Sequence, residues 1–180
     1  MRALADADRI RRFMRALGRE AQAAVRAYFT GGATAVLLGW RPATIDVDMK
    51  LIPEDEGALR AIPRLKEELQ INVEFASPLD FVPVPPGWEE RSLFIAQEGR
   101  VAYYHFDPYA QALAKLERSH AQDLEDVRSF LRSGLVDPRR ALEYFRRVEP
   151  ELYRFPAVDP RSFRRAVEET FAEALPTDPP

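Results

Sequence analysis

The chain has 180 residues, 46% hydrophobic and 31% charged, with a formal net charge of -3, which suits a globular domain with a core and excludes a chain that coats nucleic acid or membrane through overall charge. Absence of cysteine excludes disulfides and thiolate metal sites, and His105 and His120 are too few for an ordinary structural zinc site. No apolar run approaches the ~20 residues of a bilayer span, so no membrane association is expected.

The arginine-rich N-terminus is interrupted by Asp6, Asp8 and Glu20 and lacks the apolar core and cleavage site of a leader, so a cytoplasmic address is expected. Asp8 is expected to cap a first helix that buries Ile10, Phe13, Met14 and Leu17, with Gly18 as a break or a weak spot. Ala24 to Thr30 reads as a strand ending at Gly31-Gly32, and Gly32 to Leu38 as a short helix stopped by Gly39. Pro42 keeps Arg41 extended, and Thr44 to Leu51 reads as a second strand. Pro53-Glu54-Asp55-Glu56 opens a helix to about Gln70, with acids where the helix dipole favours them and Pro63 splitting it or starting its second part. Ile71 to Phe75 alternates as a third strand, with Ile71, Val73 and Phe75 toward the core.

Pro78 to Gly87 reads as a proline-rich connection ordered by burial of Phe81 and Val82. Ser92 to Ala96 and Val101 to Phe106 flank Glu98-Gly99 as a hairpin. Beyond Asp107-Pro108 the spacing predicts helices over 108–118, 121–133, 138–149 and 160–175, with Asp137-Pro138 and Asp159-Pro160 as start signals. Strands come first and helices follow, which gives an α+β class: residues 1–107 hold the strands, 108–175 form a helical region and 176–180 a disordered tail.

The stretch Thr30 to Met49 concentrates the chemistry. On a strand, residues two apart share a face, so Asp46, Asp48 and Lys50 point one way and Ile45, Val47, Met49 and Leu51 the other. Two carboxylates so close repel, and ionising both is costly unless a cation compensates. A divalent metal does so, and with oxygen ligands only, magnesium or manganese is expected. A pair of such ions can clamp the attacking and leaving oxygens of an in-line phosphoryl displacement. Gly31 and Gly32, at a strand-to-helix turn, let backbone N–H groups approach a phosphate. Alone, the glycines are a tight turn and the acids a charged edge strand; in this order they point to a phosphate site.

Gly31-Gly32, the intervening residues 33–45 and Asp46-Val47-Asp48-Met49 resemble the signature of the nucleotidyltransferase superfamily, and Arg41 with Thr44-x-Asp46-x-Asp48 resembles the minimal members related to abortive-infection toxins. The resemblance implies a small mixed sheet with flanking helices. It implies metal-dependent transfer of a nucleoside monophosphate from a nucleoside triphosphate such as ATP to an acceptor hydroxyl on RNA, protein or a small molecule. Asp46 and Asp48 would be catalytic metal ligands; Gly31, Gly32, Arg41 and Thr44 would bind nucleotide and phosphate. "LAKLERSHAQDLEDVRSFL" resembles a later block of the same group, in which Lys115 contacts the triphosphate and Asp123 binds nucleotide or positions the lysine, with Arg118 and Asp126 as supporting partners. Without the resemblance, the same residues read as solvated surface pairs on helices. The superfamily's third catalytic and metal-binding carboxylate falls on Glu74, with Asp80 as its rival. The resemblance also implies a toxin–antitoxin role with a cognate antitoxin as partner, and a catalytically degenerate binding module is the competing reading.

Other residues carry ordinary explanations. Tyr103 to Phe106 reads as hairpin packing, His105 as a core or edge histidine, and Trp40 as a base cover or a core plug. Arg139, Arg140, Arg146 and Arg147 suit a nucleic-acid backbone, but the interspersed Glu143, Glu149 and Glu151 favour a solvated helical face.

Overall fold

A computed structural model describes residues 3–176; of the expected tail, residues 177–180 lie outside the described residues. The chain divides into two compact units, one of the described residues up to Ser77 with Ser92–Phe106, the other of Pro78–Arg91 with the described residues from Asp107. The fold is α+β with a mixed sheet and flanking helices. Among the described residues no helix is long and apolar enough to cross a membrane.

In the sheet unit, strand β1 (Ala5–Asp6) leads into helix α1 (Ala7–Glu20), then β2 (Val25–Thr30), α2 (Gly32–Leu37), β3 (Ala43–Thr44), β4 (Asp46–Ile52), α3 (Glu56–Glu68), β5 (Asn72–Phe75), β6 (Leu93–Glu98) and β7 (Val101–His105). The five-stranded sheet has the order β5-β4-β2-β7-β6. β4 lies antiparallel to β2, β7 parallel to β2, β5 parallel to β4, and β6 antiparallel to β7. One face forms the core: Phe29, Val47, Met49 and Tyr103 cluster with Ile10, Phe13, Met14 and Leu17 of α1 and Ala58, Ile62 and Leu65 of α3. The strand periodicity of two leaves the alternate residues on the opposite face.

Several local expectations are corrected. Asp6, not Asp8, caps α1: the Arg9 backbone N–H donates to Asp6 Oδ1 at 2.8 Å, and Asp8 stands in the first turn. Gly18 does not break α1; a side chain there would collide with the Glu98 carbonyl of the hairpin. Asp55 caps α3, and Pro63 sits inside one continuous helix. Thr44 is not the start of β4. It belongs to a two-residue pairing with Ala5, too short to leave an alternation, and Ile45 between the two strands is 70% exposed instead of facing the core. Phe75 closes the edge strand β5 and is 53% exposed, while Ile71 and Val73 are buried as expected.

The helical unit holds α4 (Trp88–Arg91), α5 (Pro108–Arg118), α6 (Ala121–Arg132), α7 (Pro138–Val148) and α8 (Pro160–Glu173). Asp107, Asp137 and Asp159 each cap the helix that follows, with proline in its first turn. The apolar stripes Leu113 and Leu116, Val127 and Phe130, Phe145 and Val148, and Phe163, Val167 and Phe171 are buried. Pro78–Asp80 forms a 3-10 turn; Val82 is buried, but Phe81 is 46% exposed against expectation. α4 and the 3-10 segment Glu149–Arg154 are short elements that no periodicity announced.

Candidate active site

β2 and β4 bring the diglycine turn and the acidic strand together. They pair antiparallel with Thr30 opposite Asp48 and Tyr28 opposite Lys50, so the turn following Thr30 lies at the acidic end of β4. Gly31 adopts φ 62°, ψ -130°, a conformation open essentially to glycine alone. A Cβ there would stand 3.2 Å from Asp48 Oδ2, so the missing side chain lets the carboxylate approach the backbone. Gly32 is required for a different reason: Thr44 Oγ1 occupies the place its Cβ would take.

Val47, Met49 and Leu51 are buried in the core, while Asp46, Asp48 and Lys50 are half-buried on the other face, as alternation demands. β5 adds to that face. Asn72 pairs with Asp46 and Glu74 with Asp48, so three acids occupy adjacent places on two strands. Like charges opposite one another destabilise a sheet. Asn72 relieves part of this: its Nδ2 donates to Asp46 Oδ1 at 2.6 Å and to Glu74 Oε1 at 3.2 Å. Glu74 itself is exposed.

Asp46 and Asp48 offer the oxygen donors of a hard cation. Among the described residues no group of three or more His, Cys, Asp or Glu side chains is placed to hold a metal ion, so Glu74 does not complete a three-acid cage. A two-carboxylate set nevertheless fits magnesium, which commonly takes one or two protein carboxylates and completes its shell with water and substrate phosphate.

Thr44 is buried and donates through Oγ1 to the Asp46 carbonyl at 3.0 Å. Arg41 is half-buried in the loop after α2, its backbone N–H directed to the Ala35 carbonyl at 3.3 Å. Beneath the turn, Thr34 Oγ1 lies 3.1 Å from His105 Nδ1. Burial, with the Arg11 charge adding, pushes His105 down to about 4, so it is a neutral core histidine near pH 7.

In the helical unit, α5 and α6 assemble a second constellation. Lys115 Nζ lies 2.6 Å from Asp126 Oδ2 and 3.5 Å from Asp123 Oδ1. Arg118 grips Asp123 with two parallel bonds, Nε to Oδ2 at 3.1 Å and Nη2 to Oδ1 at 3.0 Å. Lys115, Asp123 and Asp126 are 7%, 3% and 2% exposed, so Asp126 is not a solvated surface group, whereas Arg118 is exposed. Asp126, expected only as a supporting partner, is the nearest carboxylate to the lysine. An ammonium has three donors, and the two aspartates engage two of them. Asp80, the rival third acid, also belongs to this unit, at the end of the 3-10 turn Pro78–Asp80.

Residues 8–142 match the family described as nucleotidyltransferase of unknown function (DUF6036). The chain belongs to this nucleotidyltransferase family. No curated protein and no solved structure matches it. The family match spans both the acidic strand with its glycine turn and the Lys115 block. Sequence reasoning about this nucleotidyltransferase missed Asn72, although strand parity from Glu74 would have placed it on the acidic face. It also missed the pairing of Arg91 with Asp107 at 2.7 Å, which joins residues distant in sequence and leaves no local pattern.

Proposed function

We propose that this chain transfers a nucleoside monophosphate from a nucleoside triphosphate to an acceptor hydroxyl, in a reaction dependent on magnesium or manganese. The observation that carries this reading is the placement of Asp46 and Asp48 on one strand face, with Asp48 against the side-chain-free Gly31 turn. A divalent ion bound there would supply charge neutralisation and polarise the transferring phosphoryl group. The chain does the positioning. Gly31 and Gly32 bring backbone N–H groups close to phosphate, Thr44 holds the turn at Gly32, and Asn72 orients Asp46. Arg41 and Thr44 serve the nucleotide, Lys115 neutralises the triphosphate, and Asp123 and Asp126 orient the lysine. Glu74 is the third acid of this reading, in register beside Asp48. Catalysis is then mostly orientation and electrostatic stabilisation, with no covalent enzyme intermediate.

The acceptor is an RNA, a protein or a small molecule, and the address is cytoplasmic. A toxin-like role with a cognate antitoxin follows from the abortive-infection resemblance; growth arrest on expression that disappears in Asp48→Asn tests it. Transfer is tested by incubating the protein with each labelled nucleoside triphosphate, magnesium and cell RNA or protein. Label is expected in the acceptor with wild type and not with Asp48→Asn; equal labelling by the variant refutes the assignment.

A specific observation supports a second reading, a binding module of the same fold without turnover: among the described residues the third acid does not join the pair in a metal-holding group. That module binds nucleotide with magnesium but never incorporates label.

A further inference from the structure

Helix α7 carries positive charge at both ends, in its last turn where the helix dipole favours it and in its first turn where the dipole opposes it. Arg139, Arg140, Arg146 and Arg147 stand against a single acid, Glu143. Arg139 and Arg140 lie in the first turn, where the helix dipole favours acids, and the acid at that end is Asp137, whose carboxylate is engaged in capping the helix. Two of the glutamates expected to neutralise this face are engaged elsewhere, Glu149 by Arg164 and Glu151 by Arg154. Among the described residues Glu143 makes no ion pair with the four arginines.

Three guanidinium groups nevertheless gather around one ring. Cζ of Arg91 lies 4.5 Å from the Tyr144 centroid, that of Arg147 5.8 Å and that of Arg140 5.9 Å. Tyr109 meets Tyr144 edge-on at 4.9 Å, and Arg140 Nη2 donates to the Tyr144 hydroxyl at 3.2 Å. Arg91 is neutralised by Asp107. Arg140 and Arg147 are exposed, and among the described residues neither has a carboxylate at ion-pair distance. Cation–π contact holds the Arg147 guanidinium in place without engaging its N–H donors, and Arg140, which gives one donor to the Tyr144 hydroxyl, keeps others for a phosphate.

We infer that the Tyr144 face of α7 binds the phosphate backbone of a nucleic acid through Arg140 and Arg147. Both guanidinium groups lie against the same ring, at 5.9 and 5.8 Å from its centroid, so a phosphate chain laid across Tyr144 meets the two together. Arg139 and Arg146 of the same helix are exposed as well, and a chain of repeated phosphates offers acceptors to all four. The mild net charge is no obstacle, because the positive charge is local to one helix. One consequence rests on the proposed transferase reading: the acceptor hydroxyl then belongs to a nucleic acid.

The test is fluorescence anisotropy of a short labelled single-stranded RNA over a salt series, without nucleoside triphosphate or divalent metal. Wild type is expected to bind with salt-dependent affinity. Arg140→Gln/Arg147→Gln is expected to reduce the slope of log affinity against log salt by about 1.4, at about 0.7 per phosphate contact on a single strand. Arg128→Gln/Arg132→Gln removes the same charge from α6, where Glu125 pairs with both, and is expected to leave the slope unchanged. A wild-type protein that fails to bind RNA overturns the inference before any variant is made. Equal losses in the two double variants, or displacement of RNA by polyglutamate as readily as by unlabelled RNA, also overturn it. Failure of transfer with RNA binding intact removes the transferase reading and leaves this one standing.

Discussion

On β4, Asp46 and Asp48 share a half-exposed strand face with Glu74 in register beside them, and Asn72 is the neutral donor that bridges two of the three. In the helical unit, Lys115 and Arg118 meet Asp123 and Asp126, two cations against two acids, with the lysine and both aspartates buried. The helical cluster closes its own charge balance, which holds the lysine in place. In the strand cluster Asn72 donates to two of the acids, and on the proposed function a divalent cation bound with the triphosphate completes the balance. Removing an acid should therefore have opposite consequences in the two places.

The largest effect is expected on the strand. Asp48→Asn should abolish transfer, by at least about 1,000-fold or ~4 kcal/mol of transition-state stabilisation, while the melting temperature holds or rises because a repulsion is gone. Kinetics and a thermal melt on one preparation check both halves. In the helical cluster, Asp126→Ala should cost about 3 kcal/mol, the lower end for breaking a buried ion pair, because Asp123 still faces the lysine at 3.5 Å. Urea unfolding measures it, and a loss below about 1 kcal/mol would mean that the cluster does not support the fold.

His105 provides a third case, a buried ionisable group with no opposite charge. Its folded value of about 4 lies below its ordinary 6.5, so between those values the unfolded chain takes up a proton that the folded chain refuses. Stability from this group is therefore lost as pH falls through that window, about 2 kcal/mol at pH 5 relative to pH 7. Unfolding at the two pH values should show this loss in wild type and its absence in His105→Gln. The smallest effect is expected at Arg118, whose side chain is 56% exposed. Arg118→Ala should cost under about 1 kcal/mol, and added salt should shrink the difference further.

What the sequence disclosed, and what it hid, follows from the range of the interactions. Helices α5, α7 and α8 were legible because aspartate caps and first-turn prolines are local signals, α6 from its apolar spacing, and β2 and β4 because alternation is local too. Ile45 and Phe75 were misplaced because alternation says which face a residue takes, and not where the strand ends or lies at an edge. The β1–β3 pairing has two residues per strand and leaves no period. At the candidate site, the acids and glycines were legible as a pattern. The burial of Asp126 was not, because the packing of α5 against α6 decides whether a charged pair is solvated, and no spacing within one helix records that.

The proposed compensation of Asp46 and Asp48 by a divalent cation, with the phosphate it carries, is open to measurement. Its most direct test is a thermal-shift titration with nucleoside triphosphate, with and without magnesium, on wild type and Asp48→Asn. Wild type is expected to melt at a higher temperature with triphosphate and magnesium together, as ligand binding to the folded state requires, and chelation or Asp48→Asn is expected to remove the shift. An equal shift in the variant, or one that survives chelation, would contradict it.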